Sequence, residues 1–321
     1  MSSKPVVWIT RTLSANTLER ARAHYSVIFD PSDTPADAAT IIARSAEVDA
    51  IIPCHSEAFT AEVVAQLSDR VKIIANHSVG VDHCDLNALQ QRGIVVTNTP
   101  DVLSDATAEI AMLLLLGAAR RAAEGDHMIR SGEWKNWSPS FMVGHQVTGK
   151  RIGIIGMGKV GQVMARRARG FDMEVHYHNR KRLSVEDEQG AIFHETLDTL
   201  LPQAQFLSLH CPTTDTTRGM INQDTLSALP QGAILINTAR GPLIDEAALL
   251  AAIESGQLAA AGLDCFVNEP GGNTEFSKYK QIFMLPHIGS ATFETRDAMG
   301  YRALDNLDAF FAGKEPTDRL V

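Results

Sequence analysis

Short apolar runs alternate with amphipathic stretches from the start of the chain. The runs at residues 5–10, 25–29, 50–53, 72–76 and 95–98 predict buried strands, and the segments 15–24, 35–46, 60–67 and 86–92 predict helices between them. Ser14 stands where it would cap the first helix. A long apolar helix is predicted over 105–121, with a further segment to Gly132. Alternation resumes with strands at 152–155, 174–178, 206–210, 233–237, 260–264 and 282–285, and a closing helix over 293–311 is expected to return to the first unit. Alternation of this kind builds parallel sheets covered by helices. The predicted fold is therefore α/β, two doubly wound parallel-sheet domains with a cleft between them, and a cleft is a usual place for a small-molecule site.

Composition narrows the class. With 321 residues the chain is long for one core and comfortable for two. A net charge of −9 argues against a nucleic-acid surface, which needs a basic face. The apolar run 110–119 is too short to span a bilayer, and the N-terminal residues lack the apolar stretch of a signal peptide. A cytoplasmic protein is expected, with no membrane partner. Cys54, Cys84, Cys211 and Cys265 are scattered without metal or redox spacing, and His77, His83, His145, His176 and His178 show no ligand spacing either. Reduced thiols and no metal are expected.

The most specific local signal is Gly156-x-Gly158-x-x-Gly161, after a strand and opening a helix. Dinucleotide pyrophosphates need that order: a tight turn, a close backbone approach, a helix packed against its strand, and N–H groups facing the anion. The second domain is therefore predicted to be a Rossmann dinucleotide-binding domain. In NAD-binding folds a carboxylate about 20 residues on holds the ribose 2′-OH. Here the second strand ends in Asn179-Arg180-Lys181-Arg182, with no carboxylate at its tip. Arg180 suits a 2′-phosphate, and Lys181 and Arg182 add positive potential. A solvated basic turn is the plainer alternative. The predicted cofactor is NADP(H).

Several motifs in one order resemble a known family. They are Val79-Gly80-Val81-Asp82, Asn98-Thr99-Pro100, Asp105-Ala106-Thr107-Ala108-Glu109, the glycine turn, His210-Cys211-Pro212, Asn237-Thr238-Ala239-Arg240-Gly241, Gly262-Leu263-Asp264, Asn268-Glu269-Pro270 and Pro286-His287-Ile288-Gly289-Ser290. Nearly the whole chain resembles the D-isomer-specific 2-hydroxyacid dehydrogenases. Residues 132–139 and the Asn179-Arg180 pair are most similar to the glyoxylate/hydroxypyruvate reductase branch. The resemblance implies a flavodoxin-like substrate-binding domain at 1–100 and 288–321 and an NADP-binding domain at 101–287. It implies Arg240, Glu269 and His287 at the catalytic positions. It implies cofactor contacts at Thr107, Gly156, Gly158, Lys159, Val160, Gly161, Asn179, Arg180, Lys181, Cys211, Pro212, Thr217, Thr238, Ala239, Asp264 and Gly289, and a homodimer.

Chemistry can be set beside that resemblance. Reducing a 2-oxo acid requires a group that holds its carboxylate, one that polarises its carbonyl, and a proton for the developing alkoxide. Arg240 follows a buried strand, and its planar fork suits a carboxylate with the neighbouring carbonyl oxygen. His287 has the chemistry of a proton donor near neutral pH, a structural histidine being the plainer alternative, and Glu269 is the carboxylate that would hold its tautomer. Val79 and Gly80 would bind the substrate carboxylate through backbone N–H groups, or simply turn the chain. Asp264 would hold the nicotinamide carboxamide or cap a helix; Thr107 would meet cofactor phosphate or cap. Trp134 and Trp137 are ordinary buried aromatics, or part of an arm that carries Trp137 to the neighbouring subunit's substrate. The glycine-rich run 271–276 departs from the family's usual shorter connection and leaves the pocket shape open. The expected activity is NADPH-dependent reduction of glyoxylate, hydroxypyruvate or related 2-oxo acids to D-2-hydroxy acids. A phosphoglycerate- or D-lactate-type dehydrogenase is the alternative, and a cofactor-sensing corepressor-like protein a more distant one.

Overall fold

The computed structural model describes residues 4–321. The chain divides into two compact units: the described part of Met1–Leu103 together with Ala291–Val321, and Ser104–Ser290.

In the first unit, β1 (Val6–Ile9), α1 (Ala15–His24), β2 (Ser26–Phe29), α2 (Ala38–Ser45), β3 (Ala50–Ile52), α3 (Ala61–Gln66), β4 (Ile73–Ala75), α4 (Leu86–Gln91) and β5 (Val95–Thr97) alternate along the chain. The strands form one parallel sheet in the order β2-β1-β3-β4-β5, a flavodoxin-like arrangement. Ser14 caps α1, its hydroxyl accepting from the Thr17 N–H. The helix expected over 35–46 starts later, because the Asp37 carboxylate accepts from the Thr40 N–H and sets the first turn at Ala38.

The second unit opens with α5 (Ser104–Ala119) and α6 (Ala122–Arg130), which meet at Arg121 in the left-handed region at φ 55°. There follow β6 (Arg151–Ile155), α7 (Lys159–Arg169), β7 (Glu174–His178), α8 (Val185–Glu188), β8 (Ile192–His194), α9 (Leu197–Leu200), β9 (Phe206–Leu209), α10 (Gln223–Ser227), β10 (Ala233–Asn237), α11 (Glu246–Glu254), β11 (Leu258–Leu263) and β12 (Ile282–Met284). All seven strands are parallel, in the order β12-β11-β10-β9-β6-β7-β8. Strand β8 was not read from the sequence: it is only three residues long and half exposed at the sheet edge. The strand order reverses between β6 and β9, where such sheets bind ligands beyond their carboxyl ends. Finally α12 (Phe293–Phe311) returns to the first unit and packs on α1 and β4.

Both sheets are covered on each face, so the central strands read as continuous apolar runs. All of Ala233–Asn237 is buried. Helix α5 is apolar almost all round because its own unit covers it: it packs on α7, β10, β11 and β12, with Leu114 and Leu115 fully buried. In the structure Leu113 is the large apolar residue of α5 that is exposed. No helix of the described residues is long and apolar enough to cross a membrane. All four cysteines are unpaired thiols.

One buried group makes folding depend on pH. His77, just past β4, is only 5% exposed, and burial, helped by the charge of Arg296, pushes it down to about 4. The unfolded chain takes up the proton near the usual histidine value, whereas the folded chain does not. Stability is therefore complete above about pH 6.5 and falls as pH drops toward 4. Denaturant titrations at pH 7 and pH 5 should differ by about 2 kcal/mol from this group alone. In His77→Gln that difference should shrink, and an unchanged slope would remove the argument.

Candidate active site

The nucleotide cradle is built by the turn from β6 into α7. Gly156 adopts φ 94°, and a Cβ there would lie 2.6 Å from the Cys211 backbone nitrogen. A Cβ at Gly161 would lie 2.3 Å from the Gly156 carbonyl oxygen, so glycine is required for α7 to sit this close to its strand. Gly158 precedes the helix and supplies no side-chain cap, so the helix start can offer backbone N–H groups, such as those of Val160 and Gly161, to an anion. These features fit a dinucleotide pyrophosphate.

The turn is tied to the end of β7. The Gly156 N–H donates to the His178 carbonyl at 3.0 Å, and the Met157 N–H donates to Asn179 Oδ1 at 2.6 Å. The basic run beyond it is less basic than the sequence suggests. Arg182 is engaged by Glu188 in a two-point pair, at 2.7 and 3.1 Å. Arg166 and Arg167 on α7 pair with Asp105, and Arg167 also with Glu109. Arg180 and Lys181 are exposed and form no ion pair with any described residue. Of these five basic residues, Arg180 and Lys181 are the two with no carboxylate partner among the described residues.

Arg240, Glu269 and His287 follow β10, β11 and β12 respectively. Asn237, fully buried at the end of β10, shapes the Arg240 turn: its Oδ1 accepts from the Ala239 N–H at 3.0 Å and its Nδ2 donates to the Arg240 carbonyl at 2.8 Å. This role was missed from sequence; an asparagine closing an apolar strand is its only trace. A Cβ on Gly241 would fall 1.9 Å from the Phe266 carbonyl carbon, so the Arg240 turn lies directly on the segment leading to Glu269.

Glu269 and His287 meet. His287 Nδ1 and Glu269 Oε2 are 2.6 Å apart, and Glu269 Oε1 accepts from the Phe266 N–H at 2.7 Å. A carboxylate can only accept, so Nδ1 carries a proton toward it, and Nε2 is the nitrogen through which the ring could exchange a proton with a ligand. His287 adopts φ 52°, in the left-handed region that costs a non-glycine residue free energy. Asp264 offsets this next door. It is 1% exposed, and its two oxygens accept from the Ile288 and Gly289 N–H groups, each at 2.8 Å. Burial raises the Asp264 carboxyl above its usual range, against those two N–H groups and the His287 charge. Asp264 thus clamps the loop after His287, which neither sequence alternative for it had included.

The remaining candidates hold local structure as well. Thr107 lies inside α5, three residues past its start, and is buried beside Gly289. Thr217 Oγ1 donates to the Pro212 carbonyl at 2.8 Å and so braces the loop after Cys211. Thr238 Oγ1 is 3.5 Å from His210 Nδ1, next to Ala239. In the first unit the Ser78 hydroxyl donates to the Gly80 carbonyl and Asn98 Nδ2 to the Val79 carbonyl, which fixes that turn. Trp134 and Trp137 are not buried: they are 51% and 72% exposed.

A profile of the D-isomer specific 2-hydroxyacid dehydrogenase NAD-binding domain matches residues 112–289. The chain belongs to that family. It is 44% identical to a glycerate dehydrogenase of Hyphomicrobium methylovorum, over 99% of this chain and all of that one. It is 42% identical to a glyoxylate reductase of Thermococcus kodakarensis, covering 98% and 95%. Among solved structures, an NADPH-dependent glyoxylate/hydroxypyruvate reductase from Sinorhizobium meliloti, in complex with NADP and malonate, superposes with a TM-score of 0.87 at 31% identity, covering 99% and 97%. The chain is accordingly a 2-hydroxyacid dehydrogenase of the glyoxylate reductase branch, with two parallel-sheet α/β domains.

Proposed function

We propose that this 2-hydroxyacid dehydrogenase uses NADPH to reduce glyoxylate, hydroxypyruvate and related 2-oxo acids to D-2-hydroxy acids. The observation that carries the reading is the end of β7, where exposed Arg180 and Lys181 stand in place of the acid that would hold a ribose 2′-OH. A 2′-phosphate gains a charge-assisted pair there and meets no carboxylate. The cradle of Gly156, Gly158 and Gly161 takes the pyrophosphate. Further contacts come from Thr107, Lys159, Val160, Asn179, Cys211, Pro212, Thr217, Thr238, Ala239, Asp264 and Gly289. The compact unit Ser104–Ser290 serves as the cofactor domain, and the described part of Met1–Leu103 with Ala291–Val321 as the substrate domain.

The bound cofactor supplies the hydride. Arg240 holds the substrate carboxylate and polarises its carbonyl through a planar fork. The Val79 and Gly80 N–H groups take the other carboxylate oxygen. His287 Nε2 gives its proton to the developing alkoxide, and Glu269 stabilises the imidazolium that serves as donor. Small 2-oxo acids suit this set of groups because it addresses only the carboxylate and the adjacent carbonyl.

The active form is a homodimer. Ile129, Trp134, Trp137 and Val143 expose apolar surface along one segment, and a second copy would cover it. Trp137 then reaches the neighbouring subunit's substrate. The loss of NADPH absorbance with glyoxylate, hydroxypyruvate and pyruvate tests the function. Turnover should be fastest with the first two, and no turnover with any 2-oxo acid would overturn the reading.

A further inference from the structure

The basic loop after β7 is fastened at both ends. At its start, Asn179 Oδ1 accepts from the Met157 N–H of the glycine turn. At its end, two side chains converge on one buried carboxylate, and a third group holds one of them. Arg182 reaches both oxygens of Glu188, Tyr177 OH donates to Glu188 Oε1 at 2.6 Å, and the Leu183 N–H donates to that same Tyr177 oxygen at 3.1 Å. The Glu188 side chain is 6% exposed, whereas that of Arg182 is 61% exposed. The carboxylate is therefore the fixed partner and the arginine the tethered one. Its main chain is anchored too: Arg169 Nη2 on α7 donates to the Glu188 carbonyl at 2.8 Å. The Tyr177 ring packs on Phe193 of β8, and the Arg182 guanidinium lies over that same ring. Between the two fastenings only Arg180 and Lys181 remain to face a ligand.

We propose that Glu188 is a positioning residue for cofactor choice: it pins Arg182 and, through Tyr177, Leu183, so that Arg180 and Lys181 are presented to the 2′-phosphate. The proposal rests on the NADPH reading above. Two physical reasons support it. A loose arginine loses rotamer entropy on binding a phosphate, and a loop held at both ends has less to lose. A buried carboxylate also needs a cation, and Arg182 is that cation, so the fork is preserved while Arg180 stays available. The pairing with Arg182 and the hydroxyl of Tyr177 hold the Glu188 carboxyl below its usual range, as a fork with an ionised acid requires.

The test compares KM for NADPH and NADH in Glu188→Gln, in the double variant Arg182→Met/Glu188→Met, and in Arg180→Ala. Glutamine keeps the size and the Tyr177 contact but loses the fork. The methionine pair leaves no unpaired buried charge and guards against a folding failure. Both should raise KM for NADPH by about 5–10-fold, the scale of one hydrogen bond, and leave KM for NADH and both kcat values within about twofold. If they lower only thermal stability while Arg180→Ala still raises KM for NADPH, Glu188 is merely structural and the proposal fails alone. A tighter NADPH KM in Glu188→Gln, from a released Arg182 joining the site, also overturns it. If Arg180→Ala leaves the NADPH/NADH ratio unmoved, the cofactor reading itself fails.

Discussion

Replacing His287 with alanine should lower turnover by about 10²–10⁴-fold, the usual contribution of a general acid. The NADPH dissociation constant should stay within a few-fold, because the imidazole acts on the proton transferred in the transition state. Glu269→Gln tests the partner separately. The carboxylate lies 2.6 Å from Nδ1 and fixes the ring's tautomer and orientation. With glutamine the ring loses its charged acceptor, so kcat should fall by about 10-fold while the NADPH dissociation constant stays within a few-fold. An unchanged kcat would refute the pairing as a catalytic device. Neither substitution should unfold the protein, since both side chains are partly exposed.

Cofactor preference should invert in Asn179→Asp/Arg180→Ala. The wild type should prefer NADPH. In the variant the 2′-phosphate loses its cation and gains a carboxylate neighbour, whereas a 2′-OH gains an acceptor. One charged hydrogen bond is worth roughly 1.5–3 kcal/mol, so the NADPH/NADH ratio of kcat/KM should fall by about 10–100-fold from this loss alone. The structure makes the change feasible, because aspartate keeps the oxygen that accepts from the Met157 N–H. Steady-state kinetics with both cofactors at fixed glyoxylate decide it. A wild type that turns over NADH as well as NADPH would sink the interpretation of this basic loop.

Much of the molecule is legible in the chain itself. Strands buried on both faces must be continuous apolar runs, so β1, β4, β6 and β10 announce themselves. The glycine turn is equally local, because Gly156 and Gly161 answer steric demands within one strand–turn–helix unit. What each helix touches is not local. The apolar run of α5 predicts a helix that must be covered, but only the fold shows that its own sheet and α7 cover it. Trp134 and Trp137 look like core and lie exposed.

Charge showed the same divide. In the sequence, Arg182 counts as positive potential; in the fold Glu188 neutralises it, and Asp105 and Glu109 likewise pair Arg166 and Arg167. Glu188 is adjacent to Arg182 because α8, capped by Ser184, folds back beside the end of β7, and the five intervening residues do not by themselves specify that pairing. Glu269 and His287 stand 18 residues apart and meet because parallel β11 and β12 deliver both to the carboxyl edge of one sheet. By itself, then, the sequence determined which elements form, where a dinucleotide phosphate can approach, and which residue types are available for proton and carboxylate chemistry, because period, glycine sterics and side-chain chemistry act within a few residues. The tertiary structure alone decided which charges pair, which remain to act, and how His287 is oriented, because those depend on through-space distance between segments far apart along the chain.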